Sequence, residues 1–164
     1  MSITAYAAAW FLPFVVPVCL WVMYTDVSRM KITNTTNMVL LGIFMVIGLI
    51  VLPFTEYLWH LVAMVVVLVV AALLNALGAM GGGDSKFIAA AAPFIAFGDV
   101  VLLMWIFAIS LVAALVTHRI VKHSPLRTLA PDWASWDQGK KFPMGLALGP
   151  ALIIYLGLGA LNGA

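Results

Sequence analysis

The strongest constraint on how this chain can fold is a series of long apolar runs. Several of them are close to the length of a membrane-spanning helix. The clearest covers residues 57–79. An α-helix needs about 20 apolar residues to cross a bilayer. Of the 164 residues, 65% are hydrophobic and 9% are charged, and the mean hydropathy is +1.17. Because no soluble domain of this size can bury so much apolar surface, we predict an all-α, polytopic integral membrane protein.

The apolar runs predict about six membrane spans. The run at residues 87–117 is too long for one crossing, and Gly98-Asp99 interrupts it, so we interpret it as a short fourth span and a normal fifth span. The other four spans are predicted at residues 3–23, 38–53, 57–79 and 144–161. Because few residues remain between the spans, residues 1–164 are expected to form a single transmembrane domain.

The positions of the cations predict the topology. All eight Lys and Arg residues fall at positions 29–31, 86 and 119–141, which six spans place on one side of the membrane. The positive-inside rule makes that side cytoplasmic. The loops on the other side contain Glu56 and Asp99 and no cation. Both termini are therefore expected outside the cytoplasm, with Asp99 in an external turn.

Charge and cysteine content exclude several classes of function. A net charge of +2 is too small to indicate a nucleic-acid partner, so membrane lipids are the expected surroundings. Cys19 is the single cysteine, which excludes a disulfide within the chain and a Cys-x-x-Cys zinc site. The three histidines share no ligand spacing. We expect no metal and no cofactor.

Two aspartates stand where predicted spans meet the cytoplasmic side. Asp26 follows the first span, and Asp84 precedes the fourth, directly after three glycines at residues 81–83. Charges near hydrocarbon are costly and often functional. Two facing carboxyl groups can share one proton, as in aspartic proteases. From these residues alone, a paired-aspartate site is open to three interpretations: a protease, a proton-coupled transporter or channel, and a non-catalytic membrane assembly subunit.

The glycine-rich segment resembles a known motif. Gly-Gly-Gly-Asp at residues 81–84 fits the Gly-x-Gly-Asp motif of intramembrane aspartyl proteases, and its continuation Ser-Lys resembles the version in type IV prepilin peptidases. In that family the segment after the first aspartate ends in Ile-Pro-Asn. Here Asp26 is followed by Ile-Thr-Asn at residues 32–34, so Thr33 replaces the proline. Residues 142–147 are similar to the Pro-x-Gly segment that precedes the family's last helix.

The resemblance covers nearly the whole chain and implies a function. The short chain, without a large cytoplasmic loop or a cysteine tetrad, resembles the minimal peptidases of tight-adherence (Flp-type) pilus systems. Such an enzyme is an aspartic endopeptidase of the bacterial inner membrane that cleaves prepilin or pseudopilin leaders at the cytoplasmic face. The implied catalytic residues are Asp26 and Asp84, and the implied substrate-binding or site-shaping residues are Gly81, Gly82, Gly83, Lys86 and Asn34.

Overall fold

A computed structural model describes residues 1–139 and 141–164 of the chain. Within these residues every regular element is helical and no strand occurs, which confirms the predicted all-α class. Six principal helices are present: α1 (Ala5–Arg29), α2 (Asn34–Val51), α3 (Phe54–Ala76), α4 (Gly82–Ala91), α5 (Val100–Lys122) and α6 (Gly145–Asn162). The α2 helix contains a π-helical turn at Phe44–Gly48.

Five of these helices are long and apolar enough to cross a membrane, and α4 is not among them. The prediction of a polytopic membrane protein is therefore confirmed. The predicted fourth span corresponds to α4, which has 10 residues and continues into a 3-10 turn at Ala92–Phe94. A helix of that length rises about 15 Å, roughly half the hydrocarbon thickness. The predicted break in residues 87–117 is confirmed, with Ile95 and Ala96 extended between two short 3-10 turns.

The first helix is longer than its apolar run. It was predicted to end near residue 23 but continues to Arg29, so Asp26 lies inside its last turns rather than after it. Met30 ends the helix in a left-handed conformation with φ 52°, and its N–H donates to the Asp26 carbonyl oxygen. Hydrogen-bonded capping, and not the loss of hydrophobicity, therefore sets this boundary.

Helices α1 and α6 pack closely and antiparallel. A Cβ atom added to Gly149 would lie 3.1 Å from the Cys19 carbonyl oxygen, and one added to Gly159 would lie 3.0 Å from the Ala8 Cβ. Small residues at a helix interface let two backbones approach, which is how membrane helices commonly associate. The same register brings the beginning of α6 to the last turns of α1.

An aromatic cluster joins three helices and the turn after α4, toward the end of the bundle away from Asp26. The ring of Phe44 lies 5.8 Å from Phe11, 5.4 Å from Phe94 and 5.5 Å from Tyr57, measured between ring centroids. These residues come from α2, α1, the turn after α4, and α3 respectively. Aromatic contacts of this kind stabilise a fold beyond the area they bury. The cluster therefore fixes the far end of the short α4 segment.

Asp99 lies in a turn, as predicted, and its side chain is buried. Its carboxylate accepts hydrogen bonds from the Ser2 N–H at 2.8 Å, the Ile3 N–H at 3.0 Å and the Tyr155 hydroxyl at 3.0 Å. The N–H of Ala5 donates to the carbonyl oxygen of the last residue at 3.3 Å. Both termini therefore lie together at the end of the bundle opposite Asp26.

The segment between α5 and α6 folds back onto the bundle. Trp136 is buried, its indole N–H donates to the Ala130 carbonyl oxygen at 2.8 Å, and its ring stacks 5.1 Å from that of His118. The turn at Ala134–Trp136 also packs on α1. Lys140, one of the cations used to predict the topology, lies outside the described residues.

We predict that Asp99→Ala lowers the midpoint of thermal unfolding in detergent solution. The substitution leaves the buried donors of Ile3 and Tyr155, and the part-buried N–H of Ser2, without their acceptor, and each loss of a buried partner costs about 1–3 kcal/mol. Glu56→Ala is the matched control, because Glu56 is an exposed carboxylate at the same end of the bundle. A midpoint for Asp99→Ala equal to that of the control would contradict the structural role of this carboxylate.

Candidate active site

The Asp26 side chain is oriented by the beginning of α6. It is 5% exposed, and its Oδ2 accepts a hydrogen bond of 2.6 Å from the N–H of Gly145, the first residue of that helix. Free N–H groups and the helix dipole make such an N-terminus favourable for a negative charge. The carboxylate is thus held in one orientation by backbone rather than by a flexible side chain.

Asp84 lies in the first turn of α4, at the same end of the bundle as Asp26. The hydroxyl of Ser85 donates to the Gly81 carbonyl oxygen at 2.9 Å, which closes this first turn. Gly83, the residue before Asp84, packs against Ile32 in the connection that follows α1, so the first turn of α4 lies beside the end of α1 that carries Asp26. The structure therefore brings together the two aspartates that the sequence places 58 positions apart.

The three glycines before Asp84 occupy unequal environments. A Cβ on Gly83 would lie 3.3 Å from the Ile32 carbonyl oxygen, and a Cβ on Gly81 would lie 2.6 Å from Oδ2 of Asp84. A Cβ on Gly82 would meet nothing nearer than the Asn75 amide nitrogen at 3.6 Å, an ordinary contact. Gly83 thus has a steric requirement set by backbone, a side chain at position 81 would only displace the flexible Asp84 carboxyl group, and Gly82 has no steric requirement.

Lys86 and Asn34 also meet, as a bridge between two elements of the site. The Lys86 ammonium donates to Oδ1 of Asn34 at 2.9 Å, which joins α4 to the beginning of α2. Thr33, which replaces the proline of the related motif, is the N-cap of α2. Its hydroxyl oxygen accepts from the Thr36 N–H at 3.2 Å. Threonine is a good N-cap, so this departure from the pattern retains an ordered helix start.

Neither aspartate is neutralised by a neighbouring cation in the described part of the chain. The ion pair found there joins Arg127 and Asp137, at 3.0 Å, in the segment between α5 and α6. Within residues 1–139 and 141–164, no group of three or more His, Cys, Asp or Glu side chains is placed to hold a metal ion. The candidate site consists of two carboxyl groups beside a glycine-rich backbone.

Gly145 is a site residue that the sequence reasoning did not select. A Cβ there would lie 2.9 Å from the Cβ of Asp26 and 3.1 Å from a methyl group of Val22. Its position in the Pro-x-Gly segment before the last helix was the available signal. The motif shows that glycine is present, but only the packing of α6 on α1 shows which residue the glycine contacts.

We predict that Gly83→Ala and Gly145→Ala lower the thermal unfolding midpoint, whereas Gly82→Ala does not. An added methyl group at either constrained position forces a tightly packed contact apart, and overpacking of this kind costs about 1–3 kcal/mol. At position 82 alanine fits, and it favours helix over glycine by up to about 1 kcal/mol. Thermal unfolding of the three variants in one detergent tests this order, and a destabilised Gly82→Ala variant would contradict it.

Comparison with known proteins identifies the family of the chain. A sequence model of the Type IV leader peptidase family matches residues 13–118, which include α1 from its third turn onward, α2, α3, α4 and most of α5. No curated protein and no solved structure matches the chain significantly. Both aspartates and all three glycines of the site lie inside the matched region. Because the match covers more than half of the chain, this multi-pass membrane protein belongs to the type IV leader peptidase family and is a protease.

Proposed function

We propose that this protease is an aspartic endopeptidase in which Asp26 and Asp84 are the catalytic pair. The observation that carries the proposal is their placement: two carboxyl groups at one end of the bundle, on helices whose ends are joined by the contact of Gly83 with Ile32, with no ion pair to a described cation. Two carboxylates a few ångströms apart repel each other when both are ionised, which favours a pair that shares one proton. Such a pair supplies a base and an acid at once.

The proposed reaction is hydrolysis of one peptide bond. The ionised carboxyl group takes a proton from water as the water oxygen attacks the scissile carbonyl carbon. The protonated carboxyl group first donates a hydrogen bond to the carbonyl oxygen. A proton from the pair then passes to the amide nitrogen as the carbon–nitrogen bond breaks, which leaves a new carboxyl terminus and a new amino terminus. The pair ends with one proton, as it began.

Other residues of the site have supporting roles in this proposal. The N–H of Gly145 holds the Asp26 carboxylate in position. The exposed Gly81 and Gly82 leave space for an extended substrate beside Asp84, and Gly83 allows α4 to pack closely on Ile32. The hydrogen bond between Lys86 and Asn34 keeps the beginning of α4 against α2. Lys86 or Asn34 would also orient the substrate, through the ammonium group of the lysine or the amide group of the asparagine. Accurate positioning matters because small misplacements of reacting groups reduce rates strongly.

We further propose that the substrates are type IV, Flp-like prepilins or pseudopilins, and that cleavage occurs at the cytoplasmic face of the bacterial inner membrane. The clustering of cations in the segments flanking this end of the bundle supports the orientation. The connection between α1 and α2 is only residues 30–33, so no large loop is inserted there, which supports the minimal Flp-type class. The substrate would carry a basic leader followed by an apolar helix.

We predict that Asp26→Asn and Asp84→Asn each abolish leader cleavage of a co-expressed Flp-type prepilin. General acid–base catalysis contributes about 10²–10⁴-fold, so residual cleavage is expected to be on the order of 1% or less. The measurement is the gel shift from precursor to mature prepilin at equal membrane abundance of each variant. Asp132→Asn is the control, because Asp132 is exposed in the segment between α5 and α6.

Cleavage that persists in either asparagine variant would remove that residue from the catalytic pair. If the wild-type protein cleaves none of a panel of Flp-type prepilins, the prepilin assignment is wrong. The aspartates would then have to serve another substrate, a transport step or assembly alone.

We predict that cleavage continues at an unchanged rate in the presence of EDTA. The expectation follows from the chemistry of a carboxyl pair, which supplies both proton transfers without a Lewis acid. Cleavage is followed with purified wild-type protein and the same prepilin in detergent before and after chelation. A loss of activity that added divalent metal restores would contradict the aspartic mechanism.

A further inference from the structure

An apolar groove runs beside the candidate active site, between α3 and α5. Helix α3 packs on α4, helix α5 packs on α6, and a cavity of about 320 Å³ separates the two pairs. Side chains from all four helices line the groove, and every one of them is apolar. Ala63 and Leu103 are on its two walls, and Ile88 and Leu148 are on its floor. Nothing in the described bundle fills this space.

The floor of the groove is continuous with the site. Phe87 and Ile88 lie one helical turn after Asp84 on α4, which is about 5 Å along the helix axis. Leu148 lies one turn after Gly145, whose N–H holds Asp26. The two helices that form the floor are therefore the two whose first turns position the carboxyl groups. A molecule lying in the groove has one end at the aspartates.

We propose that this groove receives the apolar helix of the substrate, an inference that rests on the proposed endopeptidase function. A protein segment at this depth must be helical, because the hydrocarbon offers no partners for free backbone groups. Ala63, Ala91 and Ala92 give the groove small side chains, which allow a second helix to approach closely. A space of 320 Å³ accommodates a few large side chains from one face of that helix.

The two carboxyl groups of the site favour an orientation in which the basic leader of the substrate lies at their end of the groove. The carboxyl groups of Asp26 and Asp84 stand at one end of the groove, and no described cation forms an ion pair with them. A basic leader joined to an apolar helix would therefore bring a cation to these two carboxyl groups, at an end of the bundle that also holds Arg29, Lys31 and Lys86, while the helix lies along the apolar floor. This arrangement places the junction between leader and helix at the catalytic pair. The groove thus favours substrates that have an apolar helix directly next to the cleavage site.

Photo-crosslinking tests the proposal on the full chain. Benzoylphenylalanine replaces Leu103 in the groove or Val101, which is 67% exposed two residues away on the same helix. Each variant also carries Asp84→Asn and is reconstituted with an Flp-type prepilin in phosphatidylethanolamine/phosphatidylglycerol vesicles. We expect a covalent enzyme–prepilin product from position 103, at least about tenfold stronger than from position 101, because a bound helix lies within reach of only one of them.

The other outcomes overturn the proposal. A product with lipid alone from position 103 would make the groove a lipid site, and a product with a second copy of the enzyme would make it a subunit interface. Equal prepilin products from both positions would indicate non-specific encounter. Cleavage of the same prepilin by the wild-type protein in the same vesicles tests the endopeptidase function separately, so failure of the groove and failure of the function are distinguished.

A second variant pair tests the groove through activity. Ala63→Phe fills the groove from α3, and Ala72→Phe adds the same bulk at an exposed position of the same helix. We expect Ala63→Phe to raise the KM for the prepilin at least about tenfold with little change in kcat, because the obstruction affects helix binding and not the carboxyl pair. Equal kinetics for the two variants would contradict the proposal.

Discussion

The close antiparallel packing of α1 on α6 is the contact on which the rest of the site depends. It requires small residues on α6, and Gly149 and Gly159 meet α1 at distances where a methyl group would not fit without a shift. Once these contacts fix the register, the first residue of α6 falls beside Asp26, and its N–H donates to the carboxylate. A helix interface made for packing thus also provides the hydrogen bond that orients a candidate catalytic group.

The short α4 segment sets the position of the second carboxyl group. Its first turn is held where Gly83 lies against Ile32, and its far end is held where Phe94 lies 4.9 Å from Phe11 and 5.4 Å from Phe44. With both ends fixed, a helix about half as long as the hydrocarbon is thick keeps Asp84 beside the last turns of α1. Glycine at the first contact is what allows the two backbones to come together.

The sequence predicts the helical class and the break within residues 87–117, because apolar runs and their interruptions are local signals. It does not predict that α1 extends to Arg29, since a capping hydrogen bond, and not hydropathy, ends that helix. It also misses the burial of Asp99 and the contact of Gly145. Both depend on partners far away in the chain. Asp99 is bound by Ser2 and Tyr155, and Gly145 contacts Asp26.

The contrast between Asp99 and Asp26 separates a structural carboxylate from one available for chemistry. Both are about 95% buried. Asp99 accepts hydrogen bonds from Ser2, Ile3 and Tyr155, so its two oxygens are occupied in holding the termini to the bundle. Asp26 accepts one hydrogen bond, on Oδ2, and within the described residues its Oδ1 accepts none. Oδ1 of Asp26 is also not among the fully buried side-chain oxygens of the described residues, so it is open to hydrogen bonding with a water molecule or another polar group.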